Sequence, residues 1–238
     1  QADVWLIATP DAAIETSLEY LVTALDSPEA LRGSIVFHCS GALSAKLLAR
    51  AQQLGAHTAS IHPVHSFADP ARSLTQFAGS TCTFEGDSKA LDTLLPAFTH
   101  IGAKLLAVDP EQKLLYHAGS VFACNYLVPL IEASLECFVK AGISKSDAAI
   151  LLAPLMTGTL NNVLDAQHHE GPNHYLTGPI ARGDSHTVSE QLAAITNALP
   201  EYEHLYKELG KTALTNASKQ NSASPEAIAA LQHILNQD

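Results

Sequence analysis

Three short clusters of hydroxyls, imidazoles and small residues recur along the first third of the chain: Thr9-Pro10-Asp11, Ser40-Gly41 and His62-Pro63-Val64-His65-Ser66. Imidazole is the side chain whose ordinary pKa lies nearest neutrality, so His62 is a natural carrier of a proton to or from a bound molecule. A fourth group lies at Lys113, His117 and Ser120. Its spacing of i, i+4 and i+7 puts all three on one face of a helix. Asn125 borders that face, and Pro129 lacks the N–H that would have bonded its carbonyl. An ammonium or imidazole there polarises an oxygen or shares a proton with His62. Arg182, one of four arginines, stands just before Gly183 and a helix start. A guanidinium fork in such a loop clamps a carboxylate or phosphate, or else forms a salt bridge or a subunit contact.

Singly, each cluster has an ordinary structural reading: a helix start, a tight turn, a rigid corner. Their positions relative to the predicted elements set them apart. Val4 to Ala8 is a continuous apolar run, as expected of a strand buried on both faces. Further strands are expected over 34–39, 57–62, 81–84 and 104–108, with helices between them. The first three strands each end at one of the clusters. In open α/β sheets, ligands bind outside the carboxyl ends of the strands. Alternating strands and helices over short connections argue a doubly wound parallel sheet.

From Asp109 onward the pattern is helical. Asp109 suits an N-cap, Pro110 the first helical position, and Gly142 a stop. Apolar residues fall all round the wheel between Leu114 and Val139, which predicts a helix buried on most sides. A second helix starts at Ser144 and runs to about Leu164, with Pro154 as a kink. A polar loop holding His168-His169-Glu170 follows, then three more helices. Residues 1–108 therefore read as a sheet domain and 109–238 as a helical domain. The fold class is α/β: an incomplete doubly wound parallel (Rossmann) sheet followed by an all-α dimerisation or substrate domain. The sheet counts as incomplete because none of the 13 glycines lies two residues from another, so the Gly-rich phosphate cradle is missing. The chain also opens directly in a core strand. Both features lead to the expectation of further βα units roughly 50–70 residues upstream, and of weak dinucleotide binding by these 238 residues alone.

Composition removes several classes. A formal net charge of -11 with only 16% charged residues is unsuited to nucleic acid or anionic membranes. No unbroken run of about 18 apolar residues is present, so no membrane span is expected. The four cysteines lack CxxC spacing and read as reduced core residues of a cytoplasmic protein. His38, His62, His65 and His117 match no zinc spacing, so no metal is expected. The apolar surplus between Leu114 and Leu164 predicts a homodimer built through the helical domain.

Taken together, FHCSGALS, ASIHPVHSF, KLLYHAGSVFACNYLVPL, PLMTGTLNNV and LTGPIARGD resemble the Rossmann-like family of predicted NADP oxidoreductases with a helical domain of unknown function. That family is related to β-hydroxyacid dehydrogenases, prephenate dehydrogenases and pyrroline-5-carboxylate reductases. His62-Pro63 resembles the His-Pro of prephenate dehydrogenase, whose His bonds the substrate hydroxyl, and Ser40 resembles the Ser before it. Gly119-Ser120 is similar to the Gly-Ser of a domain-linking helix in pyrroline-5-carboxylate reductases. Lys113 stands near the catalytic Lys of β-hydroxyacid dehydrogenases, although their Lys-x-x-x-Asn reads Lys113-x-x-x-His117 here.

The resemblance implies NADP, with NAD as the alternative, and hydride transfer to or from a small hydroxy-, keto- or imino-acid-like substrate. His62 would be the acid/base, with Lys113 or His117 on the opposite wall of a cleft between the domains, and Ser40 beside them. A separation of roughly 5–10 Å leaves room for a bridging molecule. Thr9, Pro10, Asp11, Ser40 and Gly41 would border the nicotinamide ribose. His65, Ser120, Asn125 and Arg182 would meet the substrate. Two other readings stand beside this one: a dimerising module that senses a dinucleotide or other ligand without turnover, and a metal hydrolase using the histidines.

Overall fold

The computed structural model describes residues 2–25, 27–166, 175–220 and 222–237; His168, His169 and Glu170 lie outside them. The chain divides into two compact units, Gln1–Leu127 and Val128–Asp238. The division falls between Leu127 and Val128 rather than at Asp109. The start of the long helix is fastened to the sheet by Lys113 and Tyr116, as shown below, so it belongs with the strands.

The first unit is built on a five-stranded sheet in the order β1 (Val4–Ile7), β2 (Ile35–His38), β3 (His57–Val64), β4 (Thr81–Gly86), β5 (Lys104–Ala107). β1, β2 and β3 run parallel, β4 runs antiparallel to β3, and β5 is parallel to β4. The sheet is therefore mixed, where an all-parallel one was expected. The reason lies in the β3–β4 connection. Its helix, α3 (Pro70–Gln76), makes no crossover, and Val64 pairs directly with Thr81, so the chain returns as a wide hairpin.

Helices α1 (Ile14–Ala24) and α2 (Ala49–Gln53) lie on one face and α4 (Ser88–His100) on the other. Alternation along β2 sorts the core. Val36 joins Ile7, Ile14, Leu18 and Leu48 on one side, while Ile35 and Phe37 join Ile61, Cys82 and Leu94 on the other.

Asp109 accepts a hydrogen bond from Glu111 N at 2.9 Å and opens a 3-10 turn ahead of α5 (Lys113–Ser120). A π-helical turn, Val121–Asn125, then leads to α6 (Leu127–Lys140). Gly142 ends the helix at φ +91°. The expectation that this helix is buried on most sides is overturned. Leu114, Leu115, Phe122, Tyr126 and Val128 are all exposed, Phe122 by 70%. The all-round apolar wheel reflects surface left uncovered in the single chain.

By length and composition, Pro110–Lys140 is also apolar enough to cross a membrane, with a mean hydropathy of 1.4 over its most apolar 18-residue window. It holds no unbroken apolar run, because His117, Ser120 and Asn125 interrupt the pattern.

The second unit comprises α7 (Lys145–Ala166), α8 (Pro179–Arg182), α9 (Ser185–Ala198), α10 (Glu203–Gln220) and α11 (Pro225–Leu235), together with α6. Its core gathers Val188, Leu214, Leu231 and Leu235. Gly210 lets α10 approach α11, since a Cβ there would meet Leu235 at 2.7 Å. On α7, Ala148 and Leu152 are buried. Ile150, Leu151, Leu155, Leu160 and Leu164 along it are exposed.

Candidate active site

The site grows out of two polar rows on one face of the sheet. Residues directly opposite one another in neighbouring strands share a face. His38 pairs with Ser60 across β2 and β3, and Ser60 pairs with Glu85 across β3 and β4. One step further along the same face, His62 pairs with Thr83. α5 lies on these rows: Lys113 reaches the first, and Tyr116, one turn later, reaches the second.

Lys113 is 2% exposed. Its ammonium donates to Ser60 Oγ at 2.5 Å, to the Ser40 carbonyl at 3.1 Å and to Glu85 Oε1 at 3.4 Å. An ammonium has three protons, so none is left for a substrate. Burial pulls its pKa below the ordinary amine value, against the pull of Glu85. Glu85 in turn accepts the Ala45 N–H at 2.8 Å.

His38 is equally committed. Its Nδ1 accepts the Ser40 N–H at 3.1 Å, which leaves Nε2 to donate to the Ser44 carbonyl at 3.2 Å. That ring is neutral, and burial lowers its pKa. Ser40 Oγ donates to Asp11 Oδ2 at 2.8 Å and accepts the N–H groups of Ala42 and Leu43. The first row thus fixes the turns after β1 and β2.

The second row opens into a cavity of about 620 Å³ whose lining includes His62, His65, Ser66, Tyr116, His117, Ser120, Cys124 and Asn125. His62 Nδ1 lies 2.7 Å from the Tyr116 hydroxyl, which also accepts from Thr83 Oγ1 at 3.0 Å. The His62 and His117 ring centroids are 6.0 Å apart. Both imidazoles crowd Gly41: a Cβ there would meet His117 Cδ2 at 2.5 Å and His62 Nε2 at 2.8 Å. His65 is anchored by Nδ1 to Ser80 Oγ at 3.0 Å.

Desolvation, then repulsion from His117 and Lys113, pushes the His62 pKa down to about 4. It is therefore neutral near pH 7. The remaining wall is the π-turn, where Tyr126 N–H reaches back to the Val121 carbonyl at 3.0 Å. Such wide turns often mark functional sites, and this one brings Ala123, Cys124 and Asn125 to the cavity.

Of the residues singled out from sequence, His62, His65, His117, Ser120 and Asn125 share this cavity, with Gly41 against it. The cavity is lined entirely by residues of the first unit. Lys113 does not line it, because the buried row on the sheet takes all of its donors. Asp11 is held by Ser40, while Thr9 and Pro10 lie exposed in the turn after β1. Arg182 ends α8 in the second unit. Cys124, read as a core residue, is exposed, and the four cysteines are free.

The reading from sequence missed Tyr116, Thr83, Ser60 and Glu85. Two signals pointed to them. Polar residues repeat at period two in otherwise buried strands, and Tyr116 follows Lys113 by three on the same helix. Among the described residues, no group of three or more His, Cys, Asp or Glu side chains is placed to hold a metal ion, so the hydrolase reading has no ligand set there.

Several solved structures share this architecture. Protein TM1727 from Thermotoga maritima is 26% identical, with a TM-score of 0.70, over 93% of this chain and 81% of that one. An imine reductase from Myxococcus stipitatus, solved in complex with NADP+, gives a TM-score of 0.63 at 15% identity over 99% and 81%. The pyrroline carboxylate reductase of Plasmodium falciparum, solved with NADP bound, gives 0.54 at 13% over 99% and 78%. The fold is that of the NADP oxidoreductases, a Rossmann-like sheet with a helical C-terminal region. Residues 80–213 match the model of a domain of unknown function, DUF2520, and the chain belongs to that family. None of the curated proteins matches it by sequence.

Proposed function

We propose that the chain is an NADP-dependent oxidoreductase that reduces a carbon–oxygen or carbon–nitrogen double bond of a small molecule. The observation that carries this reading is the cavity at the carboxyl end of β3. There a neutral imidazole, His62, is held by Tyr116 and faces a second imidazole, His117, beside the Ser40-Gly41 turn. The fold, and relatives solved with NADP, supply the redox half of the proposal.

The residues fit the nicotinamide end of such a cofactor. The Thr9-Pro10 turn is exposed at the end of β1, and the bare Cα of Gly41 keeps space beside His62 that a side chain would fill. They offer no Gly-rich cradle for its pyrophosphate. When bound, the cofactor supplies or accepts hydride. His62 handles the proton at the substrate heteroatom, and His117, Ser120 and Asn125 orient the substrate. Lys113 acts from beneath, fixing the Ser40 carbonyl and so the turn that carries Gly41.

Oxidation of NADPH by the full-length protein over a panel of small ketones, keto acids and cyclic imines tests the reading. Consumption above background with at least one of them is expected. Tight NADPH binding with no turnover of any would favour the ligand-sensing alternative.

The same reading includes a homodimer formed through the helical unit, since α7 leaves leucine and isoleucine side chains exposed along its length.

A further inference from the structure

The cavity holds one group whose role the reading above does not assign. Tyr116 lies at the end of a hydrogen-bonded chain, Thr83 to Tyr116 to His62. Thr83 sits in β4 opposite His62, 2% exposed, and its hydroxyl donates to the phenol oxygen. The phenol accepts from Thr83 and still carries its own proton, which it can donate to its other neighbour when Nδ1 of His62 is unprotonated. The ring's single proton then sits on Nε2, the nitrogen beside Gly41 and the His117 ring.

We propose that Tyr116, set by Thr83, is a positioning residue that holds His62 as the Nε2–H tautomer and replaces its proton during reduction. The inference rests on the oxidoreductase reading.

It resolves a difficulty in that reading. A histidine whose pKa lies at about 4 is almost never cationic at pH 7 and is a poor acid by itself. The relay removes the need for a cation. Hydride, which a bound reduced nicotinamide would supply, would send the π electrons of the substrate double bond to its oxygen or nitrogen. That atom takes the Nε2 proton of His62. The electron pair left on the ring is met at Nδ1 by the Tyr116 proton, and the O–H bond breaks to leave a phenolate. Imidazole emerges from the transfer neutral, with its proton moved from one nitrogen to the other. Thr83 continues to donate to the phenolate until water protonates Nε2 and the Nδ1 proton returns to Tyr116. The groups facing His62 are His117, Tyr116 and Lys113 from α5, Asp11 from the turn after β1, and Thr83 from β4.

Two readouts decide the proposal. The first is the nitrogen chemical shifts of His62 in the ligand-free protein at pH 7. They should show the proton on Nε2, and Tyr116→Phe should shift the balance toward Nδ1. The second is the pH profile of kcat. Wild type should be level from pH 6 to 8. Tyr116→Phe should lose about 10²-fold at pH 7, the lower end for an acid/base group, and regain rate as pH falls and His62 becomes cationic. Thr83→Val, which keeps the phenol, should lose less and retain the tautomer.

A proton on Nδ1 in the wild type overturns the relay whatever the enzyme reduces. So does a Tyr116→Phe profile that stays parallel to wild type. The expected tautomer with no reduction of any carbonyl or imine would overturn the oxidoreductase reading instead, and the transfer step with it.

Discussion

At the scale of single residues, Gly41 matters for the side chain it lacks. A Cβ at this position would lie 2.5 Å from His117 and 2.8 Å from His62, too close for any real Cβ. Gly41→Ala should therefore move one or both rings at a modest cost in stability, about 1–3 kcal/mol as for other overpacked sites. Turnover should fall by at least ~10-fold, because an ångström of misplacement weakens acid–base catalysis sharply. Thermal melting and steady-state kinetics on the variant check both numbers.

His62 carries a second prediction, in pH. Its folded pKa is about 4, below the ordinary 6.5. Between those values the unfolded chain holds a proton that the folded chain does not, so stability falls as pH drops through that window. His38, also lowered by burial, adds to the same slope. Urea midpoints from pH 7 to 4 should decline, and less steeply in His62→Asn.

At the scale of elements, the site depends on one helix laid across three strands. Lys113 is its pin, and its bonds to Ser60, Ser40 and Glu85 all lie inside the protein. Lys113→Met should destabilise by about 3–5 kcal/mol, the usual cost of leaving a buried charge without its partner. Adding Glu85→Gln should recover part of that loss, and chemical denaturation of the single and double variants measures both.

Much of this was legible in the sequence. The ends of β1 and β2 near Ile7 and His38, the cap at Asp109 and the stop at Gly142 follow from local rules of alternation and capping, whereas β3 runs two residues past the expected end at His62, to Val64. The direction of β4 was not, because a hairpin through a short helix looks the same in sequence as a crossover. Nor was the choice between Lys113 and His117. Both lie on one helical face, and only the register of Ser60 with Glu85 and of His62 with Thr83 assigns one to the sheet and the other to the cavity. The π-turn was not legible either: Pro129 signalled a missing hydrogen bond to the Asn125 carbonyl, but the wide turn lies over Val121–Asn125, before it.

At the scale of the whole molecule, the exposed apolar surface of the helical unit asks for a partner, and a second copy of this chain is the partner proposed. Ile150, 71% exposed, Leu155 and Leu164 lie along α7, and Val128 lies near the start of α6. A stable interface should bury more than ~1,000 Å² in total. Sedimentation at tens of micromolar should give a dimer, and Ile150→Glu with Leu155→Glu should give a folded monomer, since neither side chain is in the core. A monomeric wild type would remove the dimer from the account.

The central claim is that His62, held between Tyr116 and His117, is the acid/base of a nicotinamide-dependent reduction. The most direct test is His62→Asn in the full-length protein, assayed on the best substrate of the carbonyl and imine panel, with NADPH affinity measured on the same sample. The account predicts an unchanged NADPH dissociation constant and a kcat lower by about 10²–10⁴, the scale on which a general acid/base is lost. An asparagine variant that turns over at the wild-type rate would contradict it.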